Sequence, residues 1–297
     1  MTTVRTAPPA ATTPGAGPAG RPPRGRGPVR RTLAYVSLLA VTLLVLLPLG
    51  WMISSSLKRD NEVFTTPIEW IPREFRWSNY VEIWEQIPLA TYLGNSAFLA
   101  IVITFLQVLT GSFAAYGFAK VRFPGRDGLF LAYIATIAVP WQAYMVPQYI
   151  LMQRAELIDT HLSIILLQAF GAFGVFLMRQ YYLSIPDDLC EAARIDGLSE
   201  YGIYRRIILP LSKPALASLA LLTFVNTWND YMGPFIYLTS NDLWTVQLGL
   251  RSFVGQYQAD YAMIMTGAVL SVLPVVVVFL FGQRYFIQGI ATSGLKG

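Results

Sequence analysis

Inside the long apolar stretches of this 297-residue chain, polar side chains gather in two places. Asn226, Trp228, Asn229 and Asp230 lie in one stretch, and Trp141, Gln142, Tyr144 and Gln148 in another, between Pro140 and Pro147. Amides beside aromatic rings suit a sugar, whose apolar ring face packs on an aromatic while its hydroxyls pair with amides. Trp141, Tyr144 and Gln148 are spaced to share one helix face, and Asn226 and Asp230 to share another and satisfy each other. The same residue types also serve helix packing and interhelical hydrogen bonding. Neither stretch carries Lys or Arg near its middle, which favours a neutral saccharide over glycerol phosphate or another anionic polyol.

Other chemistry is excluded by what the chain lacks. One cysteine (Cys190) and one histidine (His161) leave no catalytic cluster, no intrachain disulfide and no metal site, which argues against a membrane-embedded enzyme. No Gly-Lys pair occurs, so there is no P-loop to hold ATP. Energy for any transport must come from another subunit or from an ion gradient. Asp230, a carboxylate within an apolar stretch, is the one candidate for ion coupling, and a lone carboxylate argues weakly for it.

The elements that must position these residues are membrane helices. Charged residues make up 13% of the chain, against about 25% in soluble domains. Apolar stretches of about the 20 residues that cross a bilayer recur along it. They predict an all-α membrane protein of six transmembrane helices, at about 32–54, 93–118, 129–151, 162–183, 214–238 and 263–286. Residues 1–31, rich in Pro, Gly and Arg, are expected to be a disordered cytoplasmic tail. The run from Leu33 to Trp51 is longer than a signal-peptide core, and no small-residue cleavage site follows it. Lys120, Arg122, Arg126, Arg179, Arg194, Arg205, Arg206, Lys213 and Arg284 fall on the amino-terminal side of the membrane, with Lys58, Arg59, Arg73, Arg76, Arg154 and Arg251 opposite. This bias predicts both termini in the cytoplasm. The net charge of +5 is thereby a topology signal and not a nucleic-acid footprint.

Between spans four and five lies a segment, 184–212, with its own helical signals. Pro186, Asp187 and Asp188 suit a helix start, Arg194 its end, and Gly197 the left-handed turn after it. Ser199 can cap a second helix in which Ile203 and Ile207 share a face, with Pro210 ending it. A mere connection between spans could be far shorter, so the segment reads as a docking surface for a cytoplasmic partner. An amphipathic element resting on lipid headgroups is the alternative.

Glu191-Ala192-Ala193, Gly197 and Ile207-Ile208-Leu209-Pro210, at this spacing, resemble the EAA motif of bacterial ABC importer permeases. Asn226 to Asp230 and the tail Gln283 to Gly297 resemble the MalG-like subunit of the carbohydrate branch. The resemblance covers 33–297. It implies an importer permease in a bacterial inner membrane, working with a second, MalF-like permease, two ATP-binding subunits and an extracytoplasmic solute-binding protein. ATP and magnesium would be bound by the ATPase subunits and no cofactor by this chain. Glu191, Ala192, Ala193, Asp196, Gly197, Ile207, Leu209 and Pro210 would then form the ATPase-coupling element, and residues 288–297 would also touch the ATPase. An ion-coupled secondary carrier is the rival reading, and it leaves the motif spacing unexplained.

Overall fold

The computed structural model describes residues 28–255 and 259–294, with side chains at 31–255 and 259–283. The tail expected over 1–31 therefore lies outside the described residues up to 27, as do the side chains of the carboxy-terminal segment 288–297. The chain divides into two compact units after Leu49. The first is the front of helix α1 (Pro28–Ser56), an apolar helix with Pro48 inside it. It opens on Pro28, ahead of the expected Thr32, because proline's preset φ and missing amide suit a first helical position.

The second unit holds the rest. After the end of α1 come two short helices, α2 (Asp60–Val63) and α3 (Asn79–Gln86), then the long α4 (Leu89–Lys120). Next are α5 (Arg126–Ala135), α6 (Trp141–Arg154), α7 (His161–Gln168) and α8 (Ala172–Leu183). The 184–212 segment forms α9 (Asp187–Ile195), α10 (Glu200–Ile203) and α11 (Leu209–Leu211). Then follow α12 (Lys213–Trp228), α13 (Met232–Tyr237), α14 (Val246–Gly249) and α15 (Tyr261–Gly294). Four helical runs, 31–56, 89–120, 161–183 and 261–283, are long and apolar enough to cross a bilayer. Two sharply bent pairs, 126–138 with 141–154 and 200–211 with 213–228, bring the total to six when each is counted as one span.

Spans three, four and five, expected as single helices, are each interrupted. At span three the chain turns by 97° between α5 and α6. Val139 is extended (φ −82°, ψ 115°) because the ring of Pro140 disfavours a helical conformation before it. Between α7 and α8 the break falls at 169–171, and a Cβ on Gly171 would stand 2.8 Å from the amide oxygen of Gln107. In span five α12 stops at Trp228, and Asn229 and Asp230 turn the chain into α13.

Helix α4 is the spine of this unit, packing along α8 and α12, with α15 on the far side of α12. The α4–α8 contact is close because both sides are glycine: a Cβ on Gly111 would lie 3.4 Å from the Gly174 carbonyl carbon. Small residues of this kind let membrane helices gain packing energy where no hydrophobic drive operates between them. Buried residues of α4 contribute to each of three clusters: Tyr116 with Met178, Tyr182 and Ile208; Tyr92 with Trp228 and Val246; Ile103 with Ile164 and Tyr237.

Gly249 sits against the buried ring of Tyr92, where a Cβ would overlap the ring carbons. Gly249→Ala is therefore expected to cost about 1–3 kcal/mol by overpacking and to lower the unfolding temperature in detergent. Gly117→Ala, whose Cβ meets nothing within 4 Å, is expected to leave that temperature unchanged or raise it.

Candidate functional site

The three helix breaks converge on one cavity of about 560 Å³. That is a size at which small molecules are commonly bound. An unwound segment at membrane depth is tolerated only where it is buried in protein or lines a polar cavity, since lipid offers its free backbone groups no partner. Here α4 supplies the missing partners. Gln107 Nε2 donates to the Gln168 carbonyl at 2.7 Å, and the Thr110 hydroxyl is shared between the Leu106 carbonyl at 2.8 Å and the Ala169 carbonyl at 3.0 Å. The Gln168 and Ala169 carbonyls are acceptors that the ending of α7 leaves free. Thr223 of α12 donates to Gln107 Oε1 at 3.3 Å. Gln168 Nε2 donates to Asp230 Oδ2 at 2.7 Å, while the Gly233 amide donates to Asp230 Oδ1 at 3.1 Å. One polar chain thus joins α12, α4, the α7 end and the α12–α13 turn.

Aromatic and amide groups complete the wall. Trp141, Tyr144 and Gln148 share the cavity face of α6, with Trp141 Nε1 donating to Gln148 Oε1 at 2.9 Å. Phe170 and Phe173 line it from the α7–α8 break and from α8. Asp230 is the single carboxylate in the lining, and among the described residues no Lys or Arg lines it.

Of the residues singled out in the sequence, Trp141, Tyr144, Gln148, Asn226 and Asp230 line the cavity, and Gln142, Trp228 and Asn229 do not. Trp228 is buried against α15, its Nε1 donating to the Ser271 carbonyl at 3.0 Å and its ring stacked on Phe224. Asn229 caps α12, its amide donating to the Val225 carbonyl at 3.1 Å. The expected Asn226–Asp230 pairing gives way to the Gln168 and Gly233 bonds, because the helix ends between the two residues. Gln107, Gln168 and Thr223 escaped the sequence reading. Only their position inside apolar helices marked them, a signal that packing residues share.

On 184–212 the local signals and the structure coincide through the first helix, the turn and the Ser199 cap, whereas the second limb continues past Pro210, which lies within α11. Pro186 precedes α9, Asp187 and Asp188 sit in its first turn, and Arg194 in its last. Gly197 is left-handed (φ +81°), its amide donating to the Arg194 carbonyl and that of Leu198 to the Ala193 carbonyl, both at 3.0 Å. Ser199 Oγ accepts from the Gly202 amide at 3.2 Å. A π-turn at Tyr204–Ile208 shifts the inner face by one position. Ile208, rather than Ile207, is buried beside Ile203, and Ile207 and Leu209 are half-buried while Pro210 is exposed.

The loop is held to the end of α4 by charge. Lys120, its side chain 3% exposed, donates to Asp187 at 2.5 Å and to the Ile185 carbonyl at 2.7 Å. Arg194 Nε donates to Glu200 Oε1 at 2.7 Å, and Tyr116 donates to Glu200 Oε2 at 2.6 Å. The Lys120 hydrogen bond holds the Asp187 carboxyl below its usual range, and that of Arg194 does the same for Glu200. Both contributions are in force above the ordinary carboxylate range and are lost as pH falls through the depressed folded-state values. Cys190 and Ala193 face inward and are buried, so of the two alanines only Ala192 is presented outward. The outward face carries Leu189, Ala192 and Ile195, the last 86% exposed, beside Asp188, Glu191 and Asp196. Glu191 has one distant partner, Arg122 at 4.0 Å.

Comparison with known proteins agrees with this geometry. Residues 107–292 match the family model described as "Binding-protein-dependent transport system inner membrane component". The chain is 36% identical to the arabinooligosaccharides transport system permease protein AraQ of Halalkalibacterium halodurans, over 89% of this chain and 94% of that protein. It is 32% identical to the lactose transport system permease protein LacG of Rhizobium radiobacter (87% and 94%). It is also 31% identical to the sn-glycerol-3-phosphate transport system permease protein UgpE of Pectobacterium atrosepticum (88% and 95%). In fold it resembles a chain of a bacterial ABC transporter involved in the import of the acidic polysaccharide alginate. The TM-score there is 0.76 at 24% identity, covering 90% of this chain and all of that one.

The turn at Gly197 yields a direct test. An L residue held left-handed costs about 1–2 kcal/mol, a factor of about 5–30 in population. Gly197→Ala is expected to open the loop by that factor and to speed maleimide labelling of the buried Cys190 accordingly.

Proposed function

We propose a function from one premise: the chain belongs to the binding-protein-dependent transport system inner membrane component family. It is a multi-pass membrane protein and a transport permease subunit, not a catalyst. Its cavity forms one wall of a solute pathway, and its partners are a second permease, ATP-binding subunits that carry ATP and magnesium, and an extracytoplasmic binding protein. The 184–212 loop and both termini face the cytoplasm, as the distribution of Lys and Arg supports.

The observation that carries the coupling role is the outward face of α9. Leu189, Ala192 and Ile195 stand exposed on a helix whose opposite face is bonded to α4, with Glu191 free of close partners at its edge. An apolar stripe flanked by carboxylates, on a rigid mount, is a surface made for a protein cleft. The EAA residues Glu191, Ala192, Asp196 and Gly197 form that mount's outer rim. Ala193, Ile207, Leu209 and Pro210 brace it from within or behind.

For the solute, the cavity supports a neutral saccharide. Trp141, Tyr144, Phe170 and Phe173 offer ring faces, and Gln107, Gln148, Gln168 and Asn226 offer amides. The alginate importer's solute is acidic and that of UgpE is a phosphate ester, whereas AraQ and LacG serve uncharged sugars. A lining whose one charged side chain is a carboxylate opposes the first pair and admits the second.

Glu191→Lys and Gly197→Pro are expected to insert normally and to abolish ATP-dependent uptake; wild-type uptake by both, at equal expression, would refute the coupling role. Affinity capture of the chain from mild detergent is expected to recover a second permease and a P-loop ATPase. Capture of the chain alone, with transport in liposomes lacking ATP, would return the ion-coupled carrier. In the assembled transporter Trp141→Ala is expected to slow uptake of an arabino-oligosaccharide by about tenfold, the loss of one stacking contact of about 1.5 kcal/mol.

A further inference from the structure

Three helices run between the docking loop and the cavity, and they differ in how they are attached. α8 enters the loop covalently at Ser184, and α12 leaves it across the 78° bend that follows α11. α4 shares no peptide bond with the loop, yet it is bonded to both of the loop's limbs and to the broken end of α7. At its carboxy-terminal end, Lys120 grips the α9 limb through Asp187 and the Ile185 carbonyl. One turn back, Tyr116 grips the α10 limb through Glu200, and Ser112 shares a hydrogen bond with Tyr204 at 2.7 Å. Further along, Thr110 and Gln107 hold the Ala169 and Gln168 carbonyls, and Gln168 holds Asp230. The distance from Lys120 to Gln107 along the helix is about 20 Å at 1.5 Å per residue. No proline interrupts α4, and Gly111 lets it lie directly on the Gly174 backbone of α8.

We propose that α4 is the lever that carries movement of the docking loop to the cavity wall, and that Lys120 is its grip on the loop, a positioning residue for coupling. This rests on the reading of 184–212 as the seat of an ATPase. The physical reason lies in the geometry of the clamp. Without Lys120, α9 keeps its non-helical joint to α8 at 184–186, the longer bond from Arg194 to the Lys120 backbone carbonyl at 3.4 Å and the Arg194–Glu200–Tyr116 link, but it loses the two short bonds that fix its start against α4. With Lys120 in place, α4 is held to the α8–α9 joint at 185–187 and, by Gln107 and Thr110, to the end of α7 at 168–169, and α8 lies between these points with Arg179 Nε bonded to the Phe118 carbonyl of α4 at 3.1 Å. A push on α9 then displaces the pair as one body, and the Gln107–Gln168–Asp230 bonds shift the wall on which the solute rests. The π-turn at 204–208 and the bend after Leu211 make the covalent route into α12 the softer one.

Lys120→Met suits the test, because methionine keeps the length of the buried stem and Asp187, 69% exposed, returns to water rather than being stranded as a buried charge. Tyr116→Phe keeps the ring packed on Tyr204 and removes only the hydroxyl that Glu200 accepts. Each variant, assembled with its partner subunits in proteoliposomes, is assayed for ATP hydrolysed and for arabino-oligosaccharide taken up. For Lys120→Met the expected result is ATP hydrolysis that persists while uptake per ATP falls by about tenfold or more, the loss of the two hydrogen bonds that the ammonium donates to Asp187 and the Ile185 carbonyl. Tyr116→Phe is expected to show a smaller fall in the same ratio, and Lys120→Arg a partial recovery. Wild-type uptake per ATP in both variants would overturn the proposal. So would a Lys120→Met chain that fails to assemble beside a Tyr116→Phe chain that couples normally, for Lys120 would then be an anchor of the fold alone. If the wild-type chain recruits no ATPase, the coupling reading itself fails, and that result is separable because it appears before any variant is made.

Discussion

A backbone amide or carbonyl in hydrocarbon must find its partner inside the protein, and the arrangement of this chain follows from meeting that demand at three broken helices. Pro140, Gly171 and the Asn229–Asp230 turn each free backbone groups that an unbroken helix would have satisfied. A bilayer cannot host such breaks separately, at several kcal/mol for each unsatisfied group. Gathered around one polar cavity and served by Gln107, Thr110, Gln168 and Asp230, they become affordable. The cavity is therefore a consequence of the breaks as much as a place for a solute.

That solution puts α4 at the centre. It is uninterrupted, it supplies the side chains that satisfy the α7 end, and it also holds the docking loop. The Lys120–Asp187 pair is asymmetric: the ammonium is buried and the carboxylate largely in water. Burying a cation is costly, and the Ile185 carbonyl together with Asp187 offsets the cost by accepting hydrogen bonds from two of its N–H groups. What the pair provides is a fixed angle between α9 and α4.

The solute side depends on the sign of charge. A cavity with a carboxylate and no cationic side chain in its lining lowers the local concentration of anions and leaves neutral polyols untouched. Family members take both kinds of solute on one scaffold.

Composition and spacing alone determined the helical membrane class, the number of spans and the two-limbed helical loop at 184–212. Each of these is a local matter: an apolar run of bilayer length, a proline before two aspartates, a glycine that can turn left-handed. They also marked Trp141, Tyr144, Asn226 and Asp230, since polar groups in an apolar helix are conspicuous. Tertiary structure alone decided which of the marked residues face the cavity. Trp228 turned to α15, and Asn229 was spent as a cap, because span five ends one residue before Asn229 and helical periodicity ceases to apply. Gln107, Gln168 and Lys120 acquire meaning only from partners 61 to 67 residues away. No spacing rule reaches that far: helix periodicity relates residues three or four apart, whereas these bonds join elements that only the folded chain brings side by side.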